Sequence, residues 1–333
     1  MNMCYTELLI DNVQIPDEEE FDDSITNIAE RNEVHESESN DITLKDLLTN
    51  LALQIDSEKT SKFNINRRNI WDGARRAFLR KTYKATNGIS VMFTDSSGNS
   101  EGAVDFGGPT REFLRLLMHY LQHSKLFEGP ENRKTLSCDA QGMQNDEYYL
   151  AGQAMAFSLV HGGPAPNFVS PVLYQCLVSD AKHVHSSLGD VVDPETQDML
   201  KEIENASSLE NLQGLIQKHS TVLSIAGCFR PLKSLNDKRE LLEDFINWYI
   251  VGRTVPSLVR LKEGLKTLGV LQAMEIHKHI FEEAFVWMEQ EITTDTINGM
   301  FNIKFSPSGS NYRIQEEHII GYWRDYLRDC EGK

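Results

Sequence analysis

Cysteine is the residue type in this sequence best suited to covalent chemistry, because its thiolate attacks acyl groups. The 333-residue chain has five cysteines and no Cys-x-x-Cys pair, which argues against a disulfide framework and a cysteine-rich zinc module. Cys330 lies between an aspartate and a glutamate, and such carboxylates oppose thiolate formation. Cys176 and Cys228 fit small buried apolar residues better than nucleophiles. The local sequences therefore assign no catalytic cysteine.

Histidines are the next candidates, as metal ligands, at positions 119 and 123, 183 and 185, and 277 and 279. No cysteine or carboxylate set stands beside these pairs at a familiar zinc spacing, so we expect surface or core-edge histidines and no metal. The glycines within residues 98–102 and 107–108 lack the Gly-Lys-Ser/Thr that completes a phosphate loop, and the chain has no Gly-x-Gly-x-x-Gly motif. A Gly-x-Ser-x-Gly hydrolase elbow is also missing. The sequence thus predicts no cofactor.

Charge divides the chain into two parts. Residues 1–60 hold 16 acidic and 3 basic residues, a net charge of −13 out of −17, which leaves −4 for residues 61–333. We predict that residues 1–60 form an acidic, largely disordered tail, with a short partner-binding motif around residues 21–28 as the alternative. A short helix is predicted within residues 41–55, because leucines at 44, 47, 48 and 51 repeat at helical spacing after Thr43.

Composition also weighs against several classes of partner. No stretch approaches the roughly 18 apolar residues of a membrane span, and the amino terminus lacks the basic start and apolar run of a signal peptide. We therefore expect an intracellular protein, in the cytoplasm or nucleus, with no membrane partner. The acidic charge disfavours nucleic acid as the main partner. One basic helix face, formed by Arg68, Arg75, Arg76 and Arg80, could attract phosphate or the acidic tail, so nucleic-acid binding through residues 67–84 stays open beside an ordinary solvated face.

The elements that would position a site begin near Phe63. Apolar residues on one side of a helical wheel predict an amphipathic helix around residues 70–78, and residues 89–94 are typical of a short strand that ends in a turn at 95–99. A helix is predicted to start at Pro109. Apolar residues surround that helix almost completely between 114 and 121, so we expect it to be central and buried.

A second buried helix is predicted from Tyr148 to Phe157, with small residues that would allow another helix to approach closely and a stop signal at residues 161–164. Helical periodicity continues at residues 193–204, 208–219, 234–252, 256–268 and 311–328. In the last of these, we expect a core-facing stripe of Ile319, Ile320, Trp323, Tyr326 and Leu327. Strand signals are few, so the predicted fold class is α+β, mainly helical.

Residues 101–113 read EGAVDFGGPTREF. This segment resembles the amino-terminal lobe of the HECT family of ubiquitin-protein ligases, in which a strand, an acidic-Gly-x-x-Asp-x-Gly-Gly turn and an Arg-Glu-Phe helix follow in this order. The arginine-rich helix before it, KLF at 125–127 and the helix at 148–160 agree with the resemblance. Runs of the kind found in a divergent vertebrate subgroup of the family are FEGPE at 127–131, SLVHGGP at 158–164, GLKTLGV at 264–270 and YWRDYL at 322–327.

The resemblance implies ubiquitin transfer in two steps. A HECT enzyme accepts ubiquitin from a conjugating enzyme as a thioester on its own cysteine, then passes it to a substrate lysine. The family's cysteine lies in a Thr-Cys-Phe-like loop of the carboxy-terminal lobe, and we expect this chain to stop before that loop. Cys228 and Phe229 match two letters of the loop but follow Gly227 and lie upstream, while the neighbours of Cys330 do not match. No catalytic cysteine is therefore carried over from the family.

The same resemblance predicts a HECT amino-terminal (scaffold) lobe at residues 61–290 and the start of a truncated carboxy-terminal lobe at 291–333. Its implied partners are a ubiquitin-conjugating enzyme, which we expect to dock somewhere between residues 187 and 236, ubiquitin and a substrate protein. Two functions stay open. The chain is either a member of the HECT-type ubiquitin-protein transferases or a non-catalytic interaction module that binds a conjugating enzyme or substrate. We expect the chain alone to be inactive, because removal of a covalent nucleophile costs orders of magnitude in rate.

Overall fold

The structure, a computed structural model, describes residues 42–95, 99, 101–102, 105–179, 184, 186–289 and 293–331. Most of these residues are helical and the strands are few, which confirms the α+β, mainly helical class. The predicted acidic disorder before residue 42 and the motif around residues 21–28 lie outside the described residues. The chain divides into two units, one reaching to Trp287 and one beginning at Met288. The predicted domain assignment at 1–60, 61–290 and 291–333 stays a prediction.

Helix α1, Leu44–Ala52, begins where the sequence supplies a cap. The Thr43 hydroxyl accepts a hydrogen bond from the Asp46 amide at 3.3 Å, and the Asp46 carboxylate accepts one from the Thr43 amide at 3.0 Å. This reciprocal capping box satisfies amide groups that have no partner within the helix. The leucines of α1 are partly buried and pack against the core. The predicted short helix is therefore confirmed.

A β-α-β unit follows directly. Strand β1, Asp56–Asn66, pairs in parallel with β2, Asn87–Thr94, and helix α2, Ile70–Phe78, connects the two strands. Phe63 and Ile65 of β1 are fully buried, and they lie opposite Val91 and Phe93 of β2. Helix α2 buries its apolar side against this sheet and exposes basic residues, so its predicted amphipathic character is confirmed.

Helix α3, Gly108–Gln122, corrects one expectation. Phe113, Leu114 and Leu117 are fully buried, but the helix is not buried on all sides, because Arg115 is exposed and Tyr120 is 37% exposed. Arginine and histidine at positions 111, 115 and 119 recur every four residues and form a polar face. The high apolar content of the helix does not by itself predict this face. The Tyr120 ring stacks on Trp71 of α2 at a centroid distance of 5.5 Å.

Helix α5, Glu147–Val160, runs through the core and is buried along almost its whole length, as predicted. Its small residues allow close packing against α11, Val255–Leu265. Gly152 of α5 faces Gly264 of α11, and a Cβ atom added at either glycine would collide with the backbone of the other helix. Close approach is thus confirmed, while the identity of the partner helix emerges only from the fold.

The remaining elements of the first unit are mostly short. They are β3 (Phe127–Glu128), β4 (Thr135–Leu136), α4 (Ala140–Gln144), α6 (Pro171–Val178), α7 (Pro194–Glu204), α8 (Leu209–Lys218), α9 (Ser220–Ile225), α10 (Asp237–Ile250), α12 (Val270–Ile276) and α13 (Lys278–Phe285). The helices predicted at 193–204, 208–219 and 234–252 are confirmed with slightly shorter bounds. The helix predicted at 256–268 ends earlier, because Leu268 and Gly269 have positive φ angles of 57° and 74°.

The second unit contains α14, Thr294–Gly299, and α15, Asn311–Glu331. The predicted core-facing stripe of α15 is wrong in its burial: Leu327 is buried, but Ile319 and Tyr326 are 63% and 61% exposed. An apolar stripe needs a covering surface, and the described part of this unit supplies only α14 and the non-helical residues 300–310 besides α15 itself. Among the described helices, none combines the length and apolar character needed to cross a membrane.

Candidate functional site

The turn that carries the Asp-x-Gly-Gly motif joins β2 to the start of α3. One carboxylate oxygen of Asp105 accepts hydrogen bonds from the Val91 amide at 2.8 Å and the Thr110 hydroxyl at 2.5 Å. The other oxygen accepts from the Gly107 amide at 2.9 Å and, more weakly, from the Thr110 amide at 3.4 Å. Gly107 has a φ angle of 94°, which favours glycine at the entry to the helix. Asp105 therefore fastens the helix start to the strand.

The protonation state of Asp105 agrees with this structural role. Burial raises its pKa, but the hydrogen bonds from Thr110, Val91 and Gly107 outweigh burial, so the pKa lies below the usual range. Both carboxylate oxygens are occupied by donors of the chain itself. Asp105 therefore positions the turn, and neither of its carboxylate oxygens is left for acid–base catalysis.

The Arg-Glu-Phe part of the motif also serves the fold. Glu112 accepts a hydrogen bond from Arg67, which also donates to Glu101 at 3.0 Å and lies over the Phe93 ring at 3.9 Å. The hydrogen bonds to Glu101 and Glu112 raise the pKa of Arg67 above its usual range. Phe113 is fully buried. Arg67, one end of the segment left open as an alternative for nucleic-acid binding, therefore already has partners within the chain.

A shallow depression of about 210 Å³ adjoins this turn and is lined by Ile89, Asp105, Gly107, Thr110 and His161. Its polar side chains are already engaged, since Thr110 donates to Asp105 and the His161 Nε2 atom lies 3.0 Å from a backbone oxygen. Burial lowers the pKa of His161, which opposes its protonation. The depression therefore has the character of a packing feature around the turn.

The histidine pair at 119 and 123 lies on the exposed face of α3. The two rings stack at a centroid distance of 4.5 Å, and the His123 Nδ1 atom lies 2.9 Å from the backbone oxygen of His119. Within the described part of the chain, no group of three histidine, cysteine, aspartate or glutamate side chains could hold a metal ion. The residues at 183 and 185 lie outside the described residues.

The described cysteines differ sharply in their surroundings. Cys176 and Cys228 are buried, as expected of small apolar residues, and burial raises the pKa of Cys176 to about 12. Cys138 is exposed to solvent on one side. Partial burial of its thiol nevertheless raises its pKa, and the thiol donates a hydrogen bond to a backbone oxygen at 3.1 Å. Cys330 is exposed on α15 beside its two acidic neighbours. The prediction that none of them is catalytic stays a prediction.

Residues 187–236, where a docking surface was expected, form helices α7, α8 and α9 followed by a tight turn. Gly227 has a φ angle of 70°, and the amides of Cys228 and Phe229 both donate to the Leu223 oxygen, at 2.8 and 3.0 Å. This turn buries Cys228 but leaves Phe229 45% exposed, and Ile225, four residues earlier in the chain, is 64% exposed. The turn thus holds two large apolar side chains in water, where contact with a partner would release ordered solvent.

Charged residues border this apolar pair, which we name the Ile225–Phe229 patch. Arg230, the next residue along, pairs with Asp244 at 2.7 Å and with Glu240 at 3.4 Å on α10. An apolar centre with a polar border is the usual anatomy of a protein-binding surface. Sequence reasoning missed both apolar residues. The only signal in the sequence is a phenylalanine that follows a glycine and a cysteine.

Comparison with known proteins bears on this arrangement. No protein-family model matches the chain. The chain is 36% identical over 286 residues to a chicken (Gallus gallus) protein named G2/M phase-specific E3 ubiquitin-protein ligase, and 31% identical over 285 residues to the human (Homo sapiens) protein of that name. The chain is thus similar in sequence to proteins named E3 ubiquitin-protein ligase. Each match covers 86% of this chain but only 38% and 39% of the chicken and human proteins, so the chain spans about two fifths of these relatives.

Proposed function

We propose that this chain is a HECT-type ubiquitin-protein ligase family member that acts in protein ubiquitination as the amino-terminal scaffold lobe. The observation that carries the proposal is the similarity, at 31–36% identity over 86% of the chain, to proteins named E3 ubiquitin-protein ligase. The Asp105 turn supports it, because the segment that resembles the HECT motif forms a strand–turn–helix unit whose parts are joined by the hydrogen bonds of Asp105. A location in the cytoplasm or nucleus belongs to the proposal.

Within this proposal, the Ile225–Phe229 patch docks a ubiquitin-conjugating enzyme. Binding energy at protein interfaces concentrates on a few large side chains surrounded by a polar border. Hydrogen bonds of the turn fix the backbone of Phe229, so little backbone entropy is lost when a partner covers it. The other proposed partners are ubiquitin, which the conjugating enzyme carries, and a substrate protein.

A second candidate function is a non-catalytic interaction module that binds a conjugating enzyme or a substrate and transfers nothing. The cysteines favour it. A ubiquitin acceptor must present an accessible thiolate. Among the described cysteines, Cys176 and Cys228 are buried, Cys330 lies between two acidic residues, and partial burial raises the pKa of Cys138, which opposes its ionisation. The two candidates share a docking step and differ in the covalent step, so one assay separates them.

The covalent step is tested with the full chain, ubiquitin-charged conjugating enzymes and a non-reducing gel. We expect binding without a thiol-sensitive ubiquitin adduct, which supports the non-catalytic module. An adduct that disappears in Cys228→Ala or Cys330→Ala would establish the transferase and overturn the exclusion of that cysteine.

Docking is tested separately by measuring the affinity of the full chain for a panel of conjugating enzymes. Phe229→Ser is expected to weaken binding by about thirtyfold or more, since truncating a central anchor costs about 2 kcal/mol or more. Leu79→Ser is the matched control, because Leu79 is 62% exposed and lies at the end of α2, outside residues 187–236. Equal affinities for the wild type and Phe229→Ser would refute docking through this patch.

A further inference from the structure

A group of basic side chains surrounds the carboxyl end of α2 in this otherwise acidic protein. It consists of Lys62, Arg75, Arg80, Lys81 and Lys84, and we name it the basic surface. The fold brings these residues together, because Arg80 donates to the backbone oxygen of Lys62 at 2.8 Å and a serine hydroxyl of β1 donates to the backbone oxygen of Lys84 at 3.2 Å. All five are exposed to solvent except Arg75, which is partly exposed.

The positive charge of the basic surface is not balanced locally. From residue 73 to residue 94 the sequence contains five basic residues and no acidic one. Among the described residues, no carboxylate oxygen lies within 4.0 Å of a side-chain nitrogen of the basic surface, whereas neighbouring Arg76 pairs with Asp72 at 3.4 Å and Arg67 with Glu101 at 3.0 Å. Such a surface attracts a polyanion.

The chain contains a matching polyanion before α1. Residues 17–23 read DEEEFDD, with six carboxylates in seven positions, and residues 1–41 hold 13 acidic residues against one basic residue. Position 23 lies twenty steps along the chain before Thr43, and an extended chain of that length spans up to about 70 Å. Lys62 lies at most about 45 Å from Thr43 along the path of α1 and β1. The acidic run can therefore reach the basic surface.

We propose that the basic surface binds the acidic run at residues 17–23 of the same chain. The covalent link makes the effective concentration of the run about 1 mM. Competition from the run would therefore weaken the binding of a separate peptide, with a dissociation constant near 0.1 mM for the free basic surface, by about tenfold. The bound run occupies the basic surface and keeps other polyanions, including nucleic acids, from it. The association depends on exposed charges and weakens as salt rises.

Zero-length cross-linking of the full chain tests the contact directly. A carbodiimide joins a carboxylate to a lysine amine only when the two touch, and mass spectrometry identifies the pair. We expect residues 17–23 linked to Lys62, Lys81 or Lys84 at low salt, with at least a fivefold loss at 0.5 M NaCl. Links spread equally over exposed lysines elsewhere, such as Lys201 and Lys266, or no links at low salt, would overturn the proposal.

Competition in the full chain provides the second test. A labelled peptide of residues 11–41 is titrated onto the wild type and onto a variant whose six carboxylates at 17–23 are replaced by amides, and the variant is expected to bind about tenfold more tightly. The charge reversals Arg75→Glu, Arg80→Glu and Lys84→Glu should abolish binding. The equally charged control, Lys201→Glu, Arg239→Glu and Lys266→Glu, should retain it. The same titration is repeated with a labelled single-stranded RNA. If the wild type and the amide variant bind the peptide or the RNA equally well, the proposal is refuted, because the basic surface of the wild type would then be unoccupied.

Discussion

The contact between α5 and α11 gives the sharpest test of the fold. In Gly152→Ala, the new methyl group would meet three backbone atoms of α11, the Leu261 oxygen, the Leu265 nitrogen and the Gly264 Cα. Backbone atoms cannot rotate away as side chains do, so the helices must separate, and the cost lies at the upper end of the usual overpacking range, about 3 kcal/mol. Alanine is favoured over glycine within a helix by about 1 kcal/mol. The expected net loss of unfolding free energy is therefore about 2 kcal/mol.

The matched control is Gly214→Ala on α8, where nothing lies within 4 Å of the added methyl group and the residue is exposed. Here only the helix preference acts, so we expect a gain of about 0.5–1 kcal/mol. Urea denaturation followed by circular dichroism measures both values. In thermal unfolding, Gly152→Ala should melt about 4–8 °C below the wild type. A Gly152→Ala variant as stable as Gly214→Ala would refute the close packing of α5 against α11.

Asp105→Asn should cost about 2 kcal/mol in urea denaturation at pH 7, because an amide nitrogen would face backbone donors, while the exposed control Asp198→Asn should stay within 0.5 kcal/mol of the wild type. Since the pKa of Asp105 is lowered on folding, its stabilisation is present above about pH 4 and is lost as the pH falls through the folded-state value. The difference between wild type and Asp105→Asn should therefore shrink in acid, and a constant difference down to pH 2 would contradict this role. Iodoacetamide should label Cys330 in the native chain but Cys176 and Cys228 only in urea, as read by site-resolved mass spectrometry. Native labelling of Cys228 at the rate of Cys330 would contradict its burial.

The motif that carries the family resemblance is a structural device in this fold. Asp105 fastens α3 to β2, Glu112 receives Arg67, and Phe113 fills the core next to Phe63 at a ring distance of 5.2 Å. None of these side chains is left to act on a bound molecule. The residues of the motif that carry the family resemblance therefore serve the packing of the fold. The surface proposed for docking lies in residues 187–236, where the sequence has no comparable motif.

Predictions from periodicity succeeded in placing helices and failed in judging what covers them. The stripe on α15 has regular spacing, yet Ile319 and Tyr326 remain exposed because the described part of its unit supplies too little surface. On α3, the apolar count concealed a polar face at Arg115. Periodicity reports that a helix has an apolar side, while burial depends on residues distant in the sequence.

The sequence by itself determined the charge division of the chain, the helical class and the cap at Thr43, because composition, spacing and capping are local properties. It also gave the resemblance from which a ubiquitin ligase was expected. Only the tertiary structure decided that Gly152 meets Gly264, and that the turn after α9 buries Cys228 while it exposes Phe229. Those outcomes depend on contacts between segments far apart in the chain, and a one-residue step along a tight turn is enough to exchange a buried thiol for an exposed aromatic ring.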